Sequence, residues 1–81
     1  VDACDLEFGL STPNVEESQV NQAMARIARE KILVADSSKF GKRSLSRIIP
    51  LSDIDVIVTD RALPVEMQNE LRARDLELVL V

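Results

Sequence analysis

The sequence predicts an α/β domain, an open and mainly parallel sheet with flanking helices, present as a partial domain. Two observations carry this. Three short apolar runs, Lys31–Ala35, Asp55–Thr59 and Leu76–Val81, are too short and too β-branched for helices and read as strands, the first unbroken enough to be buried on both faces. Stretches of helical character precede and separate them. Helix, strand, short helix, strand, helix, strand is the alternation that builds a parallel sheet through right-handed crossovers.

Each element has a local cause. Residues 1–10 interleave Asp2, Asp5 and Glu7 with Leu6, Phe8 and Leu10 and carry Gly9, which favours a strand end, placed at Val1, running into a loop. Ser11-Thr12-Pro13-Asn14 is a helix start. Asn14 with Glu17 forms a variant capping box, and Thr12 as N-cap with Pro13 at the first helical position is the alternative. Val20, Ala23, Met24, Ile27 and Ala28 then define one apolar face of a helix over 15–29, expected to lie on a sheet, and Arg26, Arg29 and Lys31 suit its negative end. Ser37 to about Leu45 reads as a turn and short helix with Phe40 and Leu45 inward and Lys42 and Arg43 outward. Arg47-Ile48-Ile49-Pro50 fits a brief edge strand and Ser52-Asp53 a turn. Leu63, Met67 and Leu71 mark one face of a helix started by Pro64 and ending near Arg74.

Composition narrows the function. At 81 residues the chain is one domain or a piece of one, and it has no run approaching the roughly 20 apolar residues of a membrane helix. It opens on Val1-Asp2-Ala3 without an initiator Met or a leader, so a fragment without a targeting signal is expected. Cys4 is alone, which rules out an internal disulfide and fits a cytoplasmic protein. A net charge of −4, no Tyr or Trp and only two Phe argue against nucleic-acid binding by this segment. The absence of His removes imidazole acid–base chemistry, His-based nucleophilic pairs and His-containing metal sites.

A parallel sheet aligns its strand ends, so Asp36, Ser37 and Ser38 should emerge beside Thr59 and Asp60, joined by Asp2 if Val1 ends a strand, with Lys39 as the nearby cation. Carboxylates accept from sugar hydroxyls, and a lysine with backbone N–H groups holds phosphate, so the set suits an anionic, polyhydroxylated small molecule. Plainer roles compete. Asp60 fits a cap or turn former better than a ligand, and Lys39 stays open between ligand contact and solvated loop cation. Met24 and Met67 fit core filling, Asp5, Glu7, Glu16 and Glu17 fit solvent-facing or helix-start charges, and no spacing demands a metal.

Val1-Asp2-Ala3-Cys4-Asp5, Phe8-Gly9-Leu10-Ser11-Thr12-Pro13-Asn14, Glu17, Val20-Asn21, Ala23-Met24, Ala35-Asp36-Ser37-Ser38-Lys39-Phe40-Gly41, Pro50-Leu51, Ile54-Asp55 and Thr59-Asp60 resemble, in order and spacing, the second half of the sugar-phosphate sensor domain of DeoR-type bacterial transcriptional regulators. The resemblance covers about residues 1–60 and implies a fold similar to ribose-5-phosphate isomerase and CoA-transferases. It further implies a sensor for a phosphorylated sugar, in an oligomeric regulator whose amino-terminal winged helix-turn-helix binds operator DNA. That part and the first half of the sensor are not in this chain. No cofactor is implied.

The same resemblance assigns residues. An Asp-x-Ser-Lys stretch similar to the isomerase's places a substrate-binding lysine on Lys39, and an acidic motif places an aspartate on Asp2. The enzyme's lysine–glycine loop falls on Thr12, Pro13 and Asn14, and its catalytic glutamate falls on Asn21. An amide cannot shuttle the proton of an aldose–ketose isomerisation. A non-catalytic pocket lined by Asp2, Asp36, Ser37, Ser38 and Lys39 and bordered by Thr12–Asn14 is therefore expected. The alternatives are an active isomerase using Asp36 or Glu17 as base, and a scaffold that only dimerises.

Overall fold

A computed structural model describes residues 2–81. The expected strand position Val1 lies outside the described residues. The chain is α/β, but its strands divide equally between two sheets rather than forming one mainly parallel sheet. β1 (Ala3–Asp5), β2 (Gly9–Thr12) and β4 (Ser46–Ile49) form an antiparallel sheet in the order β1-β2-β4. β3 (Ile32–Val34), β5 (Val56–Thr59) and β6 (Glu77–Leu80) form a parallel sheet in the order β3-β5-β6. The helices are α1 (Val15–Ile27) and α2 (Val65–Arg72). No helix among the described residues is long and apolar enough to cross a membrane.

The amino-terminal loop expected over residues 1–10 is instead a β-hairpin, and its turn chemistry explains it. Asp5 Oδ2 accepts from the Glu7 and Phe8 amides at 3.0 and 2.7 Å, bending the chain immediately after β1. Gly9, at φ +87°, brings it back opposite Asp5, and a side chain there would run into the Ile49 carbonyl. Arg43 then pairs with Asp5 and Glu7 at 3.1 and 3.3 Å and lies over the Phe8 ring. The expected edge strand before Pro50 forms as β4, but it joins the hairpin rather than the parallel sheet.

α1 begins where its capping box requires: the Asn14 side chain accepts from the Glu17 amide at 2.9 Å, while Thr12 stays in β2. Its rotation differs from expectation. The Ser18 hydroxyl donates to the Val15 carbonyl and so receives the Ser46 hydroxyl at 2.7 Å, and Gln22 Nε2 donates to the Arg47 carbonyl. These bonds turn the Ser18–Gln22 side toward β4. Val20, Met24 and Ile27, two residues on and so about 200° round the helix, face outward, with Ile27 84% exposed.

The core joins both sheets: Cys4, Leu10 and Ile48 pack with Leu33, Ile57, Leu63 and Leu71. α2 contributes the buried Leu71 and the half-buried Met67, as its spacing predicts, and Leu63 precedes it. Along the parallel sheet Leu33, Ile57 and Leu78 align on the inner face, whereas Ile32, Val34, Val56, Val58 and Val79 share the outer one. β3 is therefore not buried on both faces, Val34 being 71% exposed. In the segment before β4, a single 3-10 turn, Ser37–Lys39, replaces the expected short helix. Phe40 packs on the core, but Leu45 is 76% exposed, because Ser44 is drawn to β2 by its amide bond to Ser11 Oγ and Leu45 projects the other way.

Candidate functional site

The parallel register pairs Val34 with Val58, and the Ala35 amide donates to the Val58 carbonyl, so Asp36 and Asp60 leave adjacent strands at the same carboxyl edge. Their side chains have different duties. Asp36 caps its own turn, Oδ1 accepting from the Ser38 amide at 3.0 Å and from the Ser38 hydroxyl. Asp60 Oδ1 accepts from the Ala62 amide at 2.9 Å, the turn-forming role expected of it. Its Oδ2 also accepts from the Ser37 amide, 23 residues away in sequence, at 2.8 Å. That second bond was legible only from strand adjacency, since nothing local marks it.

The far end of the same turn is tied to the hairpin. Phe40 makes a parallel bridge to Cys4, and the Gly41 amide donates to the Cys4 carbonyl at 2.8 Å. Because the two segments run in the same direction, Lys39 and Ser38 lie on the side where Ala3 and Asp2 precede Cys4. Asp2 Oδ2 in turn receives the Thr12 hydroxyl at 2.7 Å across the hairpin. Of the residues singled out in the sequence, Asp2, Thr12, Asp36, Ser37, Ser38 and Lys39 are thus brought into one region where the sheets meet. Pro13 and Asn14 follow Thr12 at the surface, with the Asn14 oxygen occupied by its helix cap. Thr59 departs from expectation: it is 2% exposed on the inner face and its hydroxyl has no partner among the described residues, so it offers nothing at the edge.

The electrostatics favour charged carboxylates and an available cation. The Ser38 hydroxyl and amide hold the Asp36 carboxyl below its ordinary range, aided by the Lys39 charge. The Ser37 amide, then the Ser37 hydroxyl and the Ala62 amide, do the same for Asp60. Lys39 is half-buried and forms no ion pair among the described residues. The adjacent Cys4 thiol is pushed up to about 11 by burial and then by the Asp5 charge, so it stays protonated and unreactive. Asn21 lines a cleft of about 400 Å³ between α1 and β3 with Met24, Ala28 and Ile32.

Residues 1–61 match the family described as the DeoR C terminal sensor domain. The chain belongs to this family. Curated relatives agree with the assignment. The chain is 43% identical over its whole length to a protein of Escherichia coli O157:H7 that carries the name of an aga operon transcriptional repressor, covering 30% of that protein. It is 36% identical to the HTH-type transcriptional regulator GlpR of Haloferax volcanii, over 95% of this chain and 30% of the relative. It is 32% identical to the glycerol-3-phosphate regulon repressor of Haemophilus influenzae, over 99% of this chain and 31% of the relative. The chain therefore spans about 30% of the length of the curated relatives it matches.

Proposed function

We propose that this sensor domain is the effector-binding part of a cytoplasmic transcriptional regulator and that its ligand is a phosphorylated sugar. Asp2, Asp36, Ser37, Ser38 and Lys39 contact the ligand, and Thr12, Pro13 and Asn14 border it. The observation that carries this reading is the convergence of the Ser37–Lys39 turn with the Asp2–Thr12 pair, next to a lysine that forms no ion pair among the described residues. Carboxylates already charged and oriented suit sugar hydroxyls, and an ammonium group suits the phosphate.

The domain binds and does not catalyse: the position matching the isomerase's base is Asn21, whose amide has no proton-shuttling chemistry. The resemblance to ribose-5-phosphate isomerase also supports a related fold for the intact sensor. DNA contact belongs to another part of a longer, oligomeric protein, in keeping with the −4 charge of this segment. The effector acts by binding the DNA-bound and DNA-free states with unequal affinity.

Lys39→Ala in the intact regulator removes one charge-assisted contact, about 1.5–3 kcal/mol. Calorimetry with sugar phosphates should show affinity at least about tenfold weaker, with the thermal transition of the domain unmoved. Undiminished affinity would remove Lys39 from the site.

A further inference from the structure

The effector turn is clamped at both ends, and one clamp is a side chain outside the pocket. On the carboxyl side, the Gly41 amide and the Phe40 bridge tie the turn to β1. On the amino side, the Ala35 amide bonds the Val58 carbonyl at 3.1 Å two residues before the turn, and the turn itself is held to the parallel sheet by the carboxylate of Asp60, which reaches from the end of β5 to the Ser37 amide at 2.8 Å. Inside the turn the remaining bonds are local and short-range: Asp36 to Ser38, and the Lys39 and Phe40 amides to the Asp36 and Ser37 carbonyls at 3.2 and 3.3 Å. Those bonds shape the turn but do not fix it to the rest of the domain.

Asp60 is itself immobilised, because its other oxygen accepts from the Ala62 amide at 2.9 Å where the chain turns toward α2. A carboxylate with one oxygen on each side is, among the described residues, the only group that bonds both segments at once. An asparagine has one acceptor oxygen and would bond one segment or the other.

We infer that Asp60 is a positioning residue, which holds the Ser37–Lys39 turn in the geometry that presents Lys39 to the effector. The inference rests on the proposed function in taking that turn as part of the pocket. It goes beyond that reading in making pocket geometry depend on the end of β5, and hence on the β5–α2 connection.

Two readouts on the intact regulator test it, with Asp60→Ala, Asp60→Asn, Lys39→Ala and the Asp60→Ala/Lys39→Ala double variant. The first is amide hydrogen exchange and uses no ligand. Asp60→Ala should raise exchange across residues 37–39 by about tenfold or more, with Asp60→Asn between it and the wild type and with protection of β5 and α2 retained. The second is binding of ribose 5-phosphate, fructose 6-phosphate and glycerol 3-phosphate, with inorganic phosphate as control. Asp60→Ala should weaken the tightest of these by about tenfold in the wild-type background but by less than about twofold once Lys39 is gone, since contacts acting through one another are not additive.

Unchanged exchange at residues 37–39 overturns the inference whether or not any ligand binds. Lost protection with unaltered affinity, or fully additive losses in the double variant, overturns it as well, by showing that the tie does not serve Lys39. If the wild type binds none of the phosphates, the effector reading fails, and with it the positioning role, while the exchange measurement still decides whether Asp60 holds the turn. If Asp60→Ala unfolds, Asp60→Asn carries both comparisons.

Discussion

Thr59 sits one residue before the carboxylate that holds the turn, yet its side chain points into the core and its hydroxyl finds no partner among the described residues. A buried hydroxyl without a hydrogen bond forfeits its hydration for nothing in return. Thr59→Val keeps the shape and deletes the orphan group, so unfolding of the domain by urea should show stability unchanged or raised by up to about 1 kcal/mol. A loss of more than about 1 kcal/mol would mean the hydroxyl is satisfied. Asn14 announced its cap, because a side chain that accepts from an amide three residues on is a local event. Alternation also placed Asp36 and Asp60 at one edge. That Thr59 faces inward follows from counting two residues on from Ile57, and the long-range reach of Asp60 to Ser37 has no local mark at all.

Glycine separates two kinds of turn at the level of elements. Gly9 and Gly41 both have positive φ, at +87° and +78°, but a Cβ at Gly9 would meet the Ile49 carbonyl and lie 2.8 Å from Pro50 Cα, whereas at Gly41 it would meet nothing within 4 Å. Gly41→Ala should therefore cost only the backbone strain, about 1–2 kcal/mol. Gly9→Ala must also push β2 off β4 and should cost about 3 kcal/mol or more. Equal losses in denaturation experiments would contradict the close approach of β2 to β4. The hairpin was missed in the sequence because three acids in ten residues read as loop, while the Asp5…Gly9 spacing that closes it was the available sign. For α1 the cap and extent were legible but the rotation was not. The apolar stripe is real, yet the hydrogen bonds that Ser18 and Gln22 make with β4 decide which side faces this sheet.

Over the whole molecule, the shifted carboxylates set a pH dependence with a definite sign. Asp5 is lowered chiefly by the Phe8 amide, Asp36 by Ser38 and Asp60 by the Ser37 amide. A carboxyl lowered in the folded state stabilises fully above its unfolded value, about 3.9, and loses that contribution as pH falls through the lowered folded value. Stability should be level from about pH 7 to 5 and decline below about pH 4. The decline should be shallower in an Asp5→Asn/Asp60→Asn variant followed by denaturant titration, and an identical acid limb would show that these groups do not control it. The raised Cys4 thiol acts at the other end, its contribution draining away as pH climbs from 9.0 toward about 11.

The sequence disclosed the parallel half of the fold because strand, helix and strand are each local signals in the right order. Division into two sheets was not disclosed, because a run such as Arg47–Ile49 names no partner strand. Strand-end alignment already drew Asp2, Asp36, Ser37, Ser38 and Lys39 to one expected edge, and the family likeness added Thr12, Pro13 and Asn14 and named the expected ligand class.

Among the described residues β3 lies at a sheet edge with Ile32 and Val34 exposed beside Val56 and Val58, so its open backbone groups adjoin a β-branched surface. Strands of that kind add to copies of themselves. Gatekeeping against such stacking falls to Lys31 and Asp36, the charged residues that bracket the strand. Asp36 thus places a charge at the end of that edge while its oxygen shapes the turn beside it.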